Sequence, residues 1–121
     1  MMTTRILLID DEPRWINFAQ NDLVEGRFDI VVAADLETAI EKLEENKYDL
    51  VIASSRRLDV LEIIKERFSD KKVIITTVQP SVKEALTSYR LGARGYFAKS
   101  FGQNDLLNHV EEIVQPKTNG S

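Results

Sequence analysis

The chain has 121 residues, a net charge of −4 and no cysteine. This length fits one domain with a single core, and the acidic balance argues against nucleic acid or an anionic membrane as partner. Without cysteine there is no disulfide and no thiolate metal site. No apolar segment approaches the roughly 20 residues of a membrane span, and the first strand leaves no room for a signal peptide. We therefore expect a cytoplasmic protein.

The first apolar segment, residues 5–9, runs into the adjacent carboxylates Asp10 and Asp11. An unbroken apolar run this short is typical of a strand buried on both faces of a parallel sheet. Pro13 fits the first turn of a helix, which Gly26 would end. The acidic pair therefore lies where a buried strand gives way to a helix. The pair is either a cation-binding site or a helix-capping acid next to a solvent-exposed acid.

The later segments continue the alternation of strands and helices. We predict further strands at residues 28–34, 48–53, 73–77 and 95–98. We predict further helices after Asp35, from Leu58, after a capping box at Ser81, and after Ser100 or Gly102 up to Pro116. This pattern predicts an α/β three-layer sandwich whose parallel five-stranded sheet has the order 2-1-3-4-5. The domain would span residues 1–115, with 116–121 as a flexible tail or the start of a linker.

That strand order brings four strand ends to one edge of the sheet, where ligands bind in open α/β folds. The polar residues expected at this edge are Asp10, Asp11, Ser54, Thr77 and Lys99. A glycine loop that could cradle a phosphate is absent after the first strand, which argues against a nucleotide binder.

Six motifs, in one order and spacing, carry a resemblance to a known family. They are Ile9-Asp10-Asp11-Glu12, Tyr48-Asp49-Leu50-Val51, Leu58-Asp59-Val60-Leu61-Glu62, Thr77, Leu91-Gly92-Ala93 and Tyr96-Phe97-Ala98-Lys99-Ser100-Phe101. Together they resemble the receiver domain of bacterial two-component response regulators, a CheY-like domain. The resemblance implies that the acidic pair holds Mg²⁺ and that an aspartate ending strand 3 accepts a phosphoryl group from a histidine kinase. It also implies that Thr77 and Lys99 contact this group and that Tyr96 moves with it.

The phosphoacceptor position departs from the family. Counted from Asp49, it is occupied by Ser54, and the loop that follows is shorter than usual. A phosphoserine is a stable ester rather than a reactive anhydride, and a serine nucleophile needs a base. The single histidine, His109, falls on the last helix, and its spacing gives no reason to place it near Ser54. We therefore predict a pseudo-receiver that is not an enzyme. The alternative is a working receiver phosphorylated at a non-standard residue with Mg²⁺.

The charges expected in the pocket favour the pseudo-receiver. Asp10, Asp11, Lys99 and Arg56 sum to zero, so we hypothesise that the Arg56 guanidinium pairs with Asp11 in place of Mg²⁺. A hard cation needs several oxygen ligands and would bind poorly there. We expect no cofactor; the alternatives are Mg²⁺ on the acidic pair and an Arg56 side chain that points to solvent.

The remaining expectations concern the switch and the partners. Ser100 replaces the usual proline, so the bond after Lys99 should be trans. Thr77 is either a switch hydroxyl or a plain strand residue, and Tyr96 is either a moving or a fixed aromatic. We expect a protein partner or a fused output domain, without direct nucleic-acid or membrane binding. A homodimer would use the face formed by helix 4, strand 5 and helix 5, where Arg90 and Arg94 lie.

Overall fold

The structure is a computed structural model that describes residues 4–24, 26–45, 47–100 and 102–114. The predicted tail at 116–121, and with it the predicted boundary after residue 115, lies outside the described residues. Within the described part, no helix combines the length and the apolar character that crossing a membrane requires.

Five strands and five helices alternate along the chain, as the sequence predicts. The strands are β1 (Arg5–Ile9), β2 (Asp29–Ala33), β3 (Leu50–Ser54), β4 (Lys72–Thr77) and β5 (Gly95–Ala98). The helices are α1 (Pro13–Val24), α2 (Leu36–Glu44), α3 (Leu58–Arg67), α4 (Val82–Arg90) and α5 (Asp105–Val114). One turn of 3₁₀-helix, Ser55–Arg57, joins β3 directly to α3.

The strands form one parallel sheet in the order β2-β1-β3-β4-β5, so the predicted fold is confirmed. The register places Ile9 beside Ala53, and Ser54 beside Thr76. The carboxyl ends of β1, β3 and β4 therefore meet at one edge, and β5 adds its own end next to β4.

Two apolar cores cover the two faces of the sheet, because the strand side chains alternate between faces. One core joins Leu7, Ile9, Val51 and Ile75 to α2 and α3. The other joins Ile6, Leu8, Ile52 and Ile74 to α1 and α5. Burial on both faces explains why β1 is apolar from Ile6 to Ile9 and β3 from Leu50 to Ala53, and it holds the polar residues at their carboxyl ends in place.

Three predicted boundaries are corrected by the structure. β2 is shorter than the predicted 28–34, and β3 covers 50–54 rather than 48–53. Neither Ser100 nor Gly102 directly precedes the last helix as its predicted cap, because α5 begins only at Asp105.

The start of α5 is fixed by a side chain from α1. The backbone N–H groups of Asn104 and Leu107 donate to the two carboxylate oxygens of Asp22, at 2.7 and 3.0 Å. Asn104 has a left-handed φ of 69°, a conformation that asparagine tolerates better than most residues. Because the capping residue comes from another helix, the local sequence gives no sign of it.

The predicted caps of α2 and α4 are present. Asp35 accepts a hydrogen bond from the backbone N–H of Thr38, and this bond lowers the pKa of the Asp35 carboxyl. Ser81 accepts one from the N–H of Glu84. α4 ends before Gly92, whose φ of 101° favours glycine.

Candidate functional site

Asp10, directly after β1, is the most buried charged group of the site. Its Oδ1 accepts hydrogen bonds from the backbone N–H groups of Asp11 and Glu12, at 2.8 and 3.1 Å. Its Oδ2 lies 2.8 Å from the Nζ of Lys99. Both oxygens of Asp10 are therefore engaged within the protein.

Lys99 reaches the pocket from the end of β5. Its side chain is 4% exposed, and its Nζ lies 3.9 Å from Glu12 Oε2 and 5.6 Å from the centre of the Trp15 ring. The backbone N–H of Lys99 donates to the carbonyl oxygen of Thr77 at 2.7 Å, which fixes where the side chain starts. The peptide bond between Lys99 and Ser100 is trans, as predicted from the missing proline.

Asp11 and Arg56 form the second ion pair of the site. Arg56 Nη2 lies 2.9 Å from Asp11 Oδ1, which is the contact expected from the sequence. The two side chains are 67% and 54% exposed, so water screens this pair and it contributes little to stability. The idea that the guanidinium takes the place of Mg²⁺ stays a prediction.

Ser54 occupies the last position of β3 and is 4% exposed. Its Oγ accepts a hydrogen bond from the backbone N–H of Arg56 at 3.3 Å, which starts the 3₁₀ turn. The neighbouring Ser55 Oγ donates to Thr77 Oγ1 at 3.0 Å, and the N–H of Gln79 donates to the same oxygen at 3.2 Å. Thr77 is thus tied to the β3–α3 connection and to its own loop.

A cleft of about 220 Å³ opens between the ends of β1 and β3. It is lined by Asp10, Asp11, Ser54, Arg56 and Arg57. Arg57 was not among the residues expected at this edge from the sequence. The shortened connection after β3 was the available signal, since a single 3₁₀ turn keeps both arginines close to the strand end.

Tyr96 is a residue of β5 that does not line this cleft. Its hydroxyl lies at the start of α4. Its hydroxyl donates to Glu84 Oε1 at 2.6 Å and accepts from the backbone N–H of Ser81 at 3.1 Å. Burial, followed by the hydrogen bond to Glu84, raises the pKa of the Tyr96 hydroxyl above its usual value. In a complete capping box Glu84 would itself accept from Ser81 N–H. Here the tyrosine hydroxyl is inserted between these two groups.

The single histidine of the chain is engaged elsewhere. His109 of α5 stacks on Phe97 of β5, with ring centroids 4.1 Å apart. Among the residues that the structure describes, no three or more histidine or acidic side chains come together to hold a metal ion.

The family model described as "Response regulator receiver domain" matches residues 6–111 of this sequence. The chain belongs to this family. It is 27% identical over 119 residues to the alkaline phosphatase synthesis transcriptional regulatory protein PhoP of Bacillus subtilis, which covers 94% of this chain and 50% of that protein. It is 30% identical over 116 residues to the transcriptional regulatory protein TrcR of Mycobacterium tuberculosis, which covers 92% of this chain and 45% of that protein.

Solved structures give the same result. A response regulator from Thermotoga maritima superposes with a TM-score of 0.87 at 25% identity, covering 93% of this chain and 98% of that one. An orphan response regulator of H. pylori superposes with a TM-score of 0.85 at 25% identity, covering 93% and 97%. The chain is therefore a two-component receiver domain, and it spans about half the length of the curated relatives it matches.

Proposed function

We propose that this receiver domain is a pseudo-receiver, a regulatory module that is not phosphorylated and acts through protein–protein contacts. One observation carries the proposal: each carboxylate of the acidic pair already has a side-chain cation. Lys99 contacts Asp10 at 2.8 Å and Arg56 contacts Asp11 at 2.9 Å. The chain itself supplies the positive charge that a divalent ion would bring.

The donor set also fits Mg²⁺ poorly. This ion requires near-ideal octahedral oxygen geometry and is usually held by one or two carboxylates. Asp10 has one oxygen bound to two backbone N–H groups and the other paired with Lys99, and Asp11 has one oxygen paired with Arg56. Ser54 brings a neutral hydroxyl where the family has a third carboxylate. We derive no step through a metal ion.

Ser54 is also a weak nucleophile in this setting. A serine hydroxyl attacks only when a neighbouring base takes its proton. The imidazole of His109 stacks on Phe97, and the ammonium of Lys99 pairs with Asp10. Neither group supplies such a base, which supports a domain that signals without group transfer.

A metal titration tests this proposal. Trp15 lies beside Lys99, so its fluorescence should respond to changes at the acidic pair. We expect no saturable response to sub-millimolar Mg²⁺, no response to Mg²⁺ with beryllofluoride, and no added phosphoryl mass after acetyl phosphate. The matched positive control is the double variant Ser54→Asp with Arg56→Ala, which restores a third carboxylate and removes the competing cation. A saturable Mg²⁺ response that Asp11→Ala abolishes in the natural sequence would favour a working receiver instead.

The surface through which the module acts is proposed to be the α4–β5–α5 face, with a second copy of the chain as partner. Val82, Leu86 and Tyr89 lie one helical turn apart on α4 and are 78%, 50% and 51% exposed. Exposed apolar side chains that share one helix face mark an interaction site.

The charges flanking this face are complementary. The exposed Lys83 and Arg90 lie on α4 beside the apolar stripe, and the exposed Arg94 follows it. The exposed Asp105 and Glu112 lie on α5, on the side marked by His109 stacking on β5. A two-fold arrangement would therefore place the basic α4 of one copy against the acidic α5 of the other.

Sedimentation or light scattering as a function of concentration tests the dimer. Leu86→Glu should shift the protein to monomer, since it places a charge in the centre of the apolar stripe. Val24→Glu, at a valine on α1 that is 64% exposed, is the control and should leave the association unchanged. A wild-type chain that stays monomeric at high concentration would contradict the dimer. A fused output domain is the other proposed partner, and we keep a cytoplasmic location without nucleic-acid or membrane binding by this domain as part of the proposal.

A further inference from the structure

We propose that the cleft between β1 and β3 binds a small oxyanion directly, without a metal ion, with Arg57 as its main ligand. The inference rests on the proposed function and names the regulator of that same site. It follows from two donors at the cleft wall that remain available and from the size of the space.

Arg57 is the cation of the cleft that is not already paired with an acid among the described residues. Asp10 and Asp11 are neutralised by Lys99 and Arg56, at 2.8 and 2.9 Å. Arg57 lines the same cleft and makes no hydrogen bond or ion pair of its own with another residue that the structure describes. A half-buried guanidinium at the wall of a concave site attracts negative charge more strongly than one on a flat surface.

Two other acids lie near these cations. The Arg57 charge lowers the pKa of Asp35, but that carboxylate is exposed and is engaged mainly by the N–H of Thr38. Glu12 lines the adjoining cleft together with Arg14, and it lies 3.9 Å from the Lys99 ammonium that also pairs with Asp10.

The second available donor is Ser54. Its oxygen accepts the N–H of Arg56, while its hydroxyl proton has no acceptor in the described part of the chain. This hydroxyl is 4% exposed and lines the cleft together with Arg57. A guanidinium fork and a buried hydroxyl together suit the oxygens of a carboxylate or a phosphate.

The cleft is small. Its volume of about 220 Å³ lies below the roughly 300–1,000 Å³ of sites for drug-sized molecules. A single small oxyanion fits this space, and a nucleotide does not. The structure therefore assigns to the cleft a ligand of opposite sign to the divalent cation that its acidic pair suggests.

Titration of the folded chain with sodium phosphate and with sodium acetate tests the proposal. Amide chemical shifts would be followed in EDTA, at constant ionic strength with chloride as the balancing ion. We expect saturable shifts around residues 54–58. Arg57→Gln should weaken binding about tenfold, as expected for the loss of a charge-assisted hydrogen bond. Arg94→Gln, which removes an exposed arginine far from the cleft, should leave binding unchanged.

Ser54→Ala is the second variant and should weaken binding several-fold while leaving both ion pairs intact. The ratio of phosphate to acetate affinity then distinguishes a tetrahedral oxyanion from a carboxylate. Binding that Arg57→Gln does not weaken, or no saturation by either anion, would overturn the inference. Those results would leave the pseudo-receiver proposal standing, whereas shifts that appear only with Mg²⁺ would contradict that proposal itself.

Discussion

Asp10 and Asp11 are adjacent in the sequence, yet the fold gives them opposite physical environments. The Asp10 side chain is 0% exposed and its lysine partner is 4% exposed. The Asp11 side chain is 54% exposed and its arginine partner is 67% exposed. The two contacts have nearly the same length, so distance alone says little about what each ion pair contributes.

The difference arises from where each backbone position lies on the sheet. Asp10 directly follows β1, which is buried on both faces, and it still donates its N–H to the carbonyl oxygen of Ala33 beside it. Asp11 is one step further along the chain and faces solvent above the sheet edge. A buried ion pair costs desolvation and is strongly destabilising to break, whereas an exposed one is screened by water. We therefore expect Asp10 to stabilise the fold, and we expect Asp11 to be able to exchange its partner at little cost in stability.

The largest effect that tests this comparison is expected from Asp10→Ala. The change leaves the Lys99 ammonium buried without its partner and removes the acceptor of two backbone N–H groups. Breaking a buried pair costs about 3–5 kcal/mol. We expect the lower end, about 3 kcal/mol, because Glu12 lies 3.9 Å from the same ammonium. Urea denaturation followed by Trp15 fluorescence measures it.

The control is Asp10→Asn, which retains an oxygen for the backbone N–H groups and removes only the charge. Its free energy of unfolding should lie between that of the wild type and that of Asp10→Ala. A loss below about 1 kcal/mol for Asp10→Ala would show that this pair behaves as a surface pair, and the comparison would fail.

The next largest effect is expected from Asp22→Ala, at a buried carboxylate that pairs with no cation among the described residues. Asp22 is 8% exposed and holds the N–H groups of Asn104 and Leu107 at the start of α5. Losing these bonds should lower the free energy of unfolding by about 2 kcal/mol, the range expected for a lost cap or for buried donors left unsatisfied. Chemical denaturation measures the loss, and amide exchange should show it concentrated in the first turn of α5.

Asp22→Asn is the matched variant, because it keeps one accepting oxygen and should lose less stability. An Asp22→Ala variant as stable as the wild type would mean that α5 does not depend on this cap.

The sequence predicted the fold and one edge of the site because both depend on local patterns. The short apolar runs gave the parallel sheet, and the strand ends gave Asp10, Ser54, Thr77 and Lys99. The predicted contact between Arg56 and Asp11 followed from the charge balance and from the position of Arg56 two residues after Ser54, and the structure contains it.

The interactions that the sequence did not reveal all join residues that are distant along the chain. Asp22 caps α5 from α1, and Tyr96 enters the capping box of α4 from β5. Each replaces a local hydrogen bond that a sequence pattern would otherwise indicate. Arg57 was missed for another reason, since two neighbouring arginines look like a solvated loop until the 3₁₀ turn is known.

Tyr96→Phe should have a moderate effect of about 1 kcal/mol, because it removes a hydroxyl that bonds to Glu84 and Ser81 near the surface. The raised pKa of Tyr96 means that the folded chain holds this proton more tightly than the unfolded chain does. The stabilisation that the protonated Tyr96 hydroxyl provides is therefore complete below the usual tyrosine pKa of 10.0. It is lost as the pH rises through the pKa of Tyr96 in the folded chain. Urea denaturation at a series of alkaline pH values should show a weaker pH dependence in the variant.

Tyr48→Phe is the control for this pH dependence. Burial, followed by the charge of Glu45, also raises the pKa of Tyr48, so this variant too should lose part of the alkaline dependence. Only Tyr96→Phe should speed amide exchange in the first turn of α4, where Ser81 and Glu84 lie. Equal exchange rates in the two variants would contradict a role for the hydroxyl in capping α4.

The smallest effect is expected for the Asp11–Arg56 pair, and it tests the other half of the comparison. A double-mutant cycle with Asp11→Ala and Arg56→Ala should give a coupling energy of about 0.2–1 kcal/mol, as is usual for exposed ion pairs. High salt should reduce this coupling, because exposed charges are screened. The exposed pair of Arg67 and Glu44, at 3.0 Å, provides a matched reference cycle of similar exposure. A coupling for Asp11 and Arg56 well above that reference, and insensitive to salt, would mean that the guanidinium is held in the pocket as firmly as Lys99. Asp11 would then contribute to stability as Asp10 does, and neither carboxylate of the acidic pair could exchange its partner at little cost.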